Sequence, residues 1–294
     1  MKQLRTILIL GRVSNLPTVW TNVLLGWFVS AGLWSAELAY LIAGLSLIYV
    51  AGMTLNDAFD SQWDKANAPE RPIPSGAISV TTAWGIGLFQ MVAGTAILFT
   101  LTTCHLWLIG VLIAAIFLYN WLHKKWAGSV IFMGVCRACV YAIAASAADL
   151  DGGIYGVHKL VWVLAGVSIL YIAGLTLAAR GERGAENKPT TGGTIGRFLL
   201  MTAGLFPILG FNAAAGISAR VALFWGGAVL VALWISLVRY CLRMGNIPRA
   251  IGFALAGIAL YDASVVLFAN WQAGLVCIGC FVLTLILQRF IPAT

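Results

Sequence analysis

Runs of about twenty apolar residues recur along the whole chain, separated by short polar segments, and the element they predict is the helix. A hydrocarbon core of about 30 Å takes roughly 20 helical residues to cross. Lipid offers backbone N–H and C=O groups no water, so a chain of this pattern satisfies them within helices. The expected spans lie near 13–33, 38–56, 80–102, 105–122, 129–148, 160–179, 197–215, 219–240, 250–268 and 272–290. That makes ten, or nine if the last two form one span and a re-entrant piece. The longest polar stretches, 56–79 and 180–197, are too short for a soluble domain. The expectation is an all-α polytopic membrane protein, one domain over residues 1–294.

Composition agrees: 61% of the 294 residues are hydrophobic and 10% charged, against roughly 25% charged in soluble domains. The basic head Met1 to Arg12 has no small-residue cleavage site after it, so no removable leader is expected. A net charge of +8 raises the question of nucleic acid, and the placement of the charges answers it. With alternating spans, fifteen of the eighteen Lys and Arg fall on one side, Lys159 and Arg220 on the other, and Arg137 within a span. That asymmetry is the positive-inside pattern. It predicts a cytoplasmic N-terminus, with some attraction for anionic headgroups or an anionic substrate, and no nucleic-acid partner. A bacterial inner membrane is the expected location.

The chain repeats itself. Residues 49–60, YVAGMTLNDAFD, match residues 171–182, YIAGLTLAARGE, at an offset of 122 that also carries Asp60 onto Glu182 and Asp64 onto Glu186. The offset moves the second span onto the sixth, and an even number of spans preserves orientation, as in a parallel repeat. Two four-helix halves around a central cavity, plus a C-terminal pair, are therefore expected, with both acidic tips on the cytoplasmic side.

The first tip continues as NDAFDSQWDKANAPERPIPSG over 56–76. If the helix runs unbroken through Asp64, then Asn56, Asp60 and Asp64 follow at four-residue spacing with Asp57 close by, giving one face with three carboxylates and an amide oxygen. Like charges on neighbouring turns repel, so a cation is expected there, and hard oxygen ligands suit Mg²⁺. A solvated acidic patch is the plainer alternative, although acids on this side run against its basic excess. Pro69, Pro72 and Pro74 place Arg71 in a constrained, extended segment where its guanidinium is able to clamp a phosphate, or to serve as an ordinary loop arginine.

N-D-x-x-D-x-x-x-D followed by R-P-I-P-S-G resembles the first aspartate-rich motif of the UbiA superfamily of intramembrane prenyltransferases. The resemblance extends to RVSNLPTVWTNVLLG with Asn15, Pro17 and Asn22, to Tyr119 with Lys124 and Lys125, and to Gly134, Cys136 and Arg137. It implies transfer of an isoprenoid chain from a prenyl diphosphate to a small aromatic or lipid-like acceptor in the membrane, with Mg²⁺ bridging two acidic motifs to the diphosphate. Carried onto this sequence, it implies metal binding by Asn56, Asp57, Asp60, Asp64, Glu182 and Glu186. It also implies catalytic roles for Asp60, Asp64, Arg137 and Lys188, and substrate binding by Asn15, Arg71, Tyr119, Lys124 and Lys125. The second motif departs from the family: Glu182 and Glu186 stand where aspartates are usual, and Ala178 replaces the Asn of the first copy. Its ARGE variant resembles the UbiA-like members of ebo-type operons. A transporter or lipid carrier that keeps the fold without turnover is the competing reading, and a divalent-cation channel a weaker one.

Two ionisable groups lie within spans, Arg137 and Asp262, and the cost of charge in lipid directs both toward the bundle interior. Arg137 reaches either the substrate or a structural partner; Asp262 is expected to tie helices together. His105, His123 and His158 sit at span ends in no metal-like spacing, and core or interface roles are expected for them. Cys136/Cys139 and Cys277/Cys280 are expected to pack between helices rather than share a zinc ion.

Overall fold

The computed structural model describes residues 2–148, 153–181, 193–200, 202 and 220–292, and these are helical with no strand among them. A short helix α1 (Lys2–Leu10) leads through a 3-10 turn (Val13–Asn15) into α2 (Leu16–Val29), followed by α3 (Ala36–Phe59) and the short α4 (Ser61–Asn67). Next come α5 (Val80–Leu101), α6 (Leu106–Leu122), α7 (Val130–Ala148) and α8 (Lys159–Gly181). Residues 193–200 form α9; α10 (Arg220–Arg243), α11 (Ile247–Ala269) and α12 (Trp271–Leu287) complete the chain. Each expected span overlaps a helix among the described residues.

Local signals set the helix starts. Ser35, Ser79 and Asn270 each accept a hydrogen bond from a backbone N–H of the first turn they precede, satisfying a donor the helix cannot reach. Pro17 occupies the first turn of α2, where its missing N–H costs nothing. By length and composition α3, α5, α7, α8 and α11 are able to cross a membrane, and α6 and α12 are shorter apolar helices.

Position in the bundle follows from how much of each helix is apolar and small. In α5 the buried residues are Ala83, Gly87, Met91, Gly94 and Leu98, a single stripe at three- and four-residue spacing that faces α3; the remaining faces go to lipid. The 14-residue α2 is the opposite case. Eleven of its residues are buried, and it packs against α3, α7, α11 and α12. At about 21 Å it is shorter than the hydrocarbon core, and protein rather than lipid surrounds it.

The internal repeat has a structural counterpart. A Cβ on Gly87 of α5 would stand 2.7 Å from Leu55 Cγ, and one on Gly196 of α9 would stand 2.8 Å from Leu177 Cβ. Leu55 and Leu177 are equivalent under the 122-residue offset. In each half, the helix after the repeat unit presses a glycine onto the same position, the close approach that small residues permit between membrane helices.

Candidate functional site

The acidic tip is built where α3 stops. Asn56 and Asp57 lie in its last turn, Asp60 forms the joint with φ −81° and ψ −3°, and Asp64 belongs to α4. All four are buried, Asp64 to 1% exposure. Helical hydrogen bonds continue across the joint, from Asp60 N to Asn56 O at 3.0 Å and from Asp64 N to Asp60 O at 2.8 Å. The carboxylates fall into two groups by partner, Asp57 and Asp64 beside Arg71, and Asp60 beside His123 and Lys124.

Each carboxylate has a cation of its own. Arg71 Nη1 donates to Asp64 Oδ2 at 2.8 Å and stands 3.9 Å from Asp57 Oδ1. Arg12 Nη2 donates to Asp57 Oδ1 at 3.2 Å and to Asn56 Oδ1 at 3.4 Å. His123 Nε2 and Lys124 Nζ meet Asp60 Oδ2 at 3.0 and 3.3 Å. The repulsion expected to demand a metal is thus balanced by protein groups, three of them from distant segments. Burial alone pushes the Asp60 carboxyl up, but His123 and Lys124 outweigh it and hold Asp60 below the ordinary carboxylate value. Burial likewise lowers Arg71, and its carboxylate partners more than reverse that, keeping it firmly protonated.

Backbone geometry aims two of these cations. Arg12 has φ 43° and ψ 48°, the left-handed region, unusual for a side chain with a Cβ. The turn lets α1 end and α2 begin beside the tip of α3. Arg71 sits in tight turns rather than an extended segment: its N–H donates to Ala68 O and its carbonyl accepts from Ser75 N. Three nearby prolines restrict those turns.

Behind the tip lies a cavity of about 200 Å³ between the two repeat copies. Its walls are mainly apolar, with Ile48 and Gly52 from α3, Ile116 from α6, Val140 from α7 and Ile172 and Leu175 from α8. Arg12, Asn15, Tyr119, Asn120 and Arg137 bring polar atoms to it. Asn120 joins the cavity to the acids, donating to Gly52 O and accepting from Asn56 Nδ2 at 3.1 Å. Tyr119 stacks on His123 at 5.1 Å between ring centroids.

Arg137 is held from the far side. Its Nη1 donates to Asn22 Oδ1 at 2.6 Å and its Nη2 to Thr18 Oγ1 at 2.9 Å. Asn22 in turn donates to Asp262 Oδ2, and Tyr141 Oη donates to Asp262 Oδ1. Asp262 has no exposed surface, and Thr21 also donates to it. It therefore ties α2, α7 and α11 together, as a charge placed in a span should.

Of the sequence candidates, the structure gathers Asn56, Asp57, Asp60, Asp64, Arg71 and Lys124 at the tip, and Asn15, Tyr119 and Arg137 around the cavity. Lys125 is not among them; it points to the Trp121 ring, 5.1 Å from its centroid. Glu182, Glu186 and Lys188 lie outside the described residues. Among the described residues no three His, Cys, Asp or Glu side chains converge as a metal cage, and all six cysteines are free. Arg12, His123 and Asn120 are site neighbours that sequence reasoning missed. The run His123-Lys124-Lys125 carried a faint signal, and the only mark on Arg12 was its charge.

The UbiA prenyltransferase family model matches residues 15–247. The chain belongs to this family. A digeranylgeranylglyceryl phosphate synthase from Methanoregula boonei is 34% identical over 161 residues, 49% of this chain and 54% of that protein. One from Methanoculleus marisnigri is 28% identical over 273 residues, covering 92% of this chain and 87% of the relative. The matched stretches span between 25 and 54% of the lengths of the first three curated relatives. Among solved structures, one described as concerning digeranylgeranylglyceryl phosphate synthase in membranes superposes with a TM-score of 0.63 at 18% identity, over 92% of this chain and 99% of that one. The apo structure of a UbiA homolog from Aeropyrum pernix gives 0.64 at 19%, over 88 and 98%. The UbiA fold, an all-α integral membrane bundle, is thereby shared with both.

Proposed function

We propose that this UbiA-family chain, residues 1–294 acting as one membrane domain, transfers an isoprenoid group from its diphosphate to a hydrophobic acceptor. The observation that carries the reading is the junction itself: an apolar cavity between the repeat halves opens onto a buried cluster of carboxylates, amides and exchangeable cations. A prenyl diphosphate has those two ends. The relatives' name speaks of a geranylgeranylated glyceryl phosphate, so geranylgeranyl diphosphate is the donor of choice and a lipid-like acceptor ranks with a small aromatic one.

The donor set fits Mg²⁺. Asn56, Asp57, Asp60 and Asp64 offer hard oxygens, and Asp64 Oδ1 is buried without a hydrogen-bond partner. The lack of a three-carboxylate cage suits an ion that keeps waters and is shared with substrate phosphates; Glu182 and Glu186 are proposed as its further ligands. Bound Mg²⁺ would neutralise charge building on the departing diphosphate. The chain's own residues do the rest. Arg12, Arg71 and Lys124, resting on carboxylates, exchange them for phosphate oxygens when the diphosphate arrives, and Lys188 is proposed to join them. The apolar walls keep water from the allylic carbon, and the Tyr49 ring, 5.8 Å from the Arg137 guanidinium, offers a π-face beside the cavity. Arg137, anchored by Asn22 and Thr18, is proposed to orient the acceptor.

The positive-inside count supports a plasma-membrane protein, bacterial in the proposal, with this end in the cytoplasm. No observation favours the carrier reading over it. The deciding experiment is Mg²⁺-dependent release of diphosphate from farnesyl or geranylgeranyl diphosphate by purified protein in detergent. Asp60→Asn and Glu182→Gln should each abolish release. Binding without release in the wild type would make the chain a carrier, and unchanged turnover in Glu182→Gln would remove that residue from the site.

A further inference from the structure

A second cavity, of about 590 Å³, lies between α10, α11 and α12. Its wall is aromatic and rigid: Trp234 donates its indole N–H to Phe253 O and packs edge-on against Phe281 with centroids 4.7 Å apart. Its floor is open because residue 252 is glycine; a Cβ there would meet Gln288 Oε1 at 3.1 Å. Gln288 Nε2 is occupied, donating to Gly252 O and to Asn15 Oδ1. That link separates the groove from the central cavity, which Asn15 lines on its other side.

The charge of this region is one-sided. From Arg220 to Thr294 the sequence has five arginines and a single acid, Asp262, which is buried in the network described above. Arg249 and Arg289 line the groove, both exposed, and among the described residues no carboxylate lies within ion-pair distance of either. The Arg249 guanidinium sits over the Phe253 ring, 5.3 Å from its centroid, beside the aromatic wall. Positive-inside topology explains arginines at this end of the bundle. It does not explain why two of them frame a groove with a rigid apolar wall.

We propose that this groove binds an anionic membrane phospholipid, its phosphate between Arg249 and Arg289 and its chain along Trp234 and Phe253. A basic pocket between transmembrane helices is the arrangement that recognises acidic lipid headgroups. A guanidinium pair suits a phosphate diester through parallel N–H donors. The proposal is independent of the prenyl-transfer reading, because it uses no residue of that site.

The test compares lipids that differ only in charge. Protein purified in detergent is titrated with phosphatidylglycerol and with phosphatidylcholine of the same acyl chains, and bound lipid is counted by native mass spectrometry. Phosphatidylglycerol should bind roughly tenfold more tightly or better. The double variant Arg249→Gln, Arg289→Gln should lose that preference, and Arg249→Lys, Arg289→Lys should keep most of it. A wild-type far-UV circular dichroism spectrum and a cooperative thermal transition in detergent will establish that both variants are folded. Equal binding of the two lipids by the wild type, or an undiminished preference in the glutamine variant, overturns the proposal. Displacement of phosphatidylglycerol by millimolar glycerol phosphate also overturns it, marking the groove as a small-anion site rather than a lipid site.

Discussion

Asp64 is almost wholly buried, and Arg71 is the cation that neutralises it. Removing one member of such a pair leaves a charge in a poorly solvated place, which costs more than the pair contributes. Arg71→Gln should therefore destabilise the metal-free protein by roughly 3 kcal/mol, read as a fall in melting temperature in detergent. Adding Asp64→Asn to that variant should restore much of the loss, since the orphaned charge goes with it. If the double variant is no more stable than Arg71→Gln, the pair is not what holds α4 in place. Asp60 makes a different prediction. Its folded carboxyl titrates below the ordinary value of 3.8 because His123 and Lys124 outweigh its burial. The folded state thus binds fewer protons there than the unfolded chain, so the stabilisation is complete above the ordinary value and is lost as pH falls through the depressed one. In metal-free protein the melting-temperature gap between wild type and Asp60→Asn should hold above the ordinary value of 3.8 and close as pH falls below it, through the depressed value of the folded state. A gap that persists at the acid end would mean that Asp60 carries no such shift.

Among the elements, α2 does more for the site than its length suggests. It holds Arg137 through Asn22 and Thr18, and it reaches α11 through Asp262. Gly26 lets it approach α7 so closely that a Cβ would collide with the Tyr141 carbonyl. Gly26→Ala should separate the two helices and cost about 1–3 kcal/mol, and Asp262→Ala should cost more than Asp262→Asn, which preserves hydrogen-bonding shape. Thermal unfolding of the three variants checks both statements, and equal effects from Asp262→Ala and Asp262→Asn would deny the network its polar role. The helices were legible in sequence because lipid demands long apolar runs, while the caps at Ser35 and Ser79 emerge only in the structure. The joint at Asp60 was not legible: nothing local breaks the helix between Phe59 and Ser61. Nor were the partners of the acids. Arg12 lies 45 residues from Asp57, and His123 lies 63 from Asp60. Charge alone does not tell a loop cation from a site cation, and only packing of α1 and α6 against α3 separates them.

At the scale of the whole molecule the two halves meet around the cavity, and the offset of 122 that was visible in the sequence foretold that the cavity would lie between equivalent helices. Met53 of α3 and Leu175 of α8 correspond under that offset, and both line it. Depth along the cavity can be counted on α3: Met53 is nearest the acids, then Gly52, Tyr49, Ile48 and finally Leu45. Leu45 lies about 12 Å of helix rise from Met53. A prenyl diphosphate anchored at the acidic tip must pass Ile48 before it meets Leu45, and a short chain never reaches that depth. Leu45→Phe should then lower diphosphate release from geranylgeranyl diphosphate about tenfold, because crowding by a few methylenes is worth 1–3 kcal/mol, while dimethylallyl diphosphate stays within about twofold of wild type. Release measured across dimethylallyl, geranyl, farnesyl and geranylgeranyl donors supplies the test. A uniform loss at every length would mean that the variant disturbs the acidic tip. No loss at any length would mean that the isoprenoid leaves the bundle above Leu45, between helices rather than along the axis of the cavity.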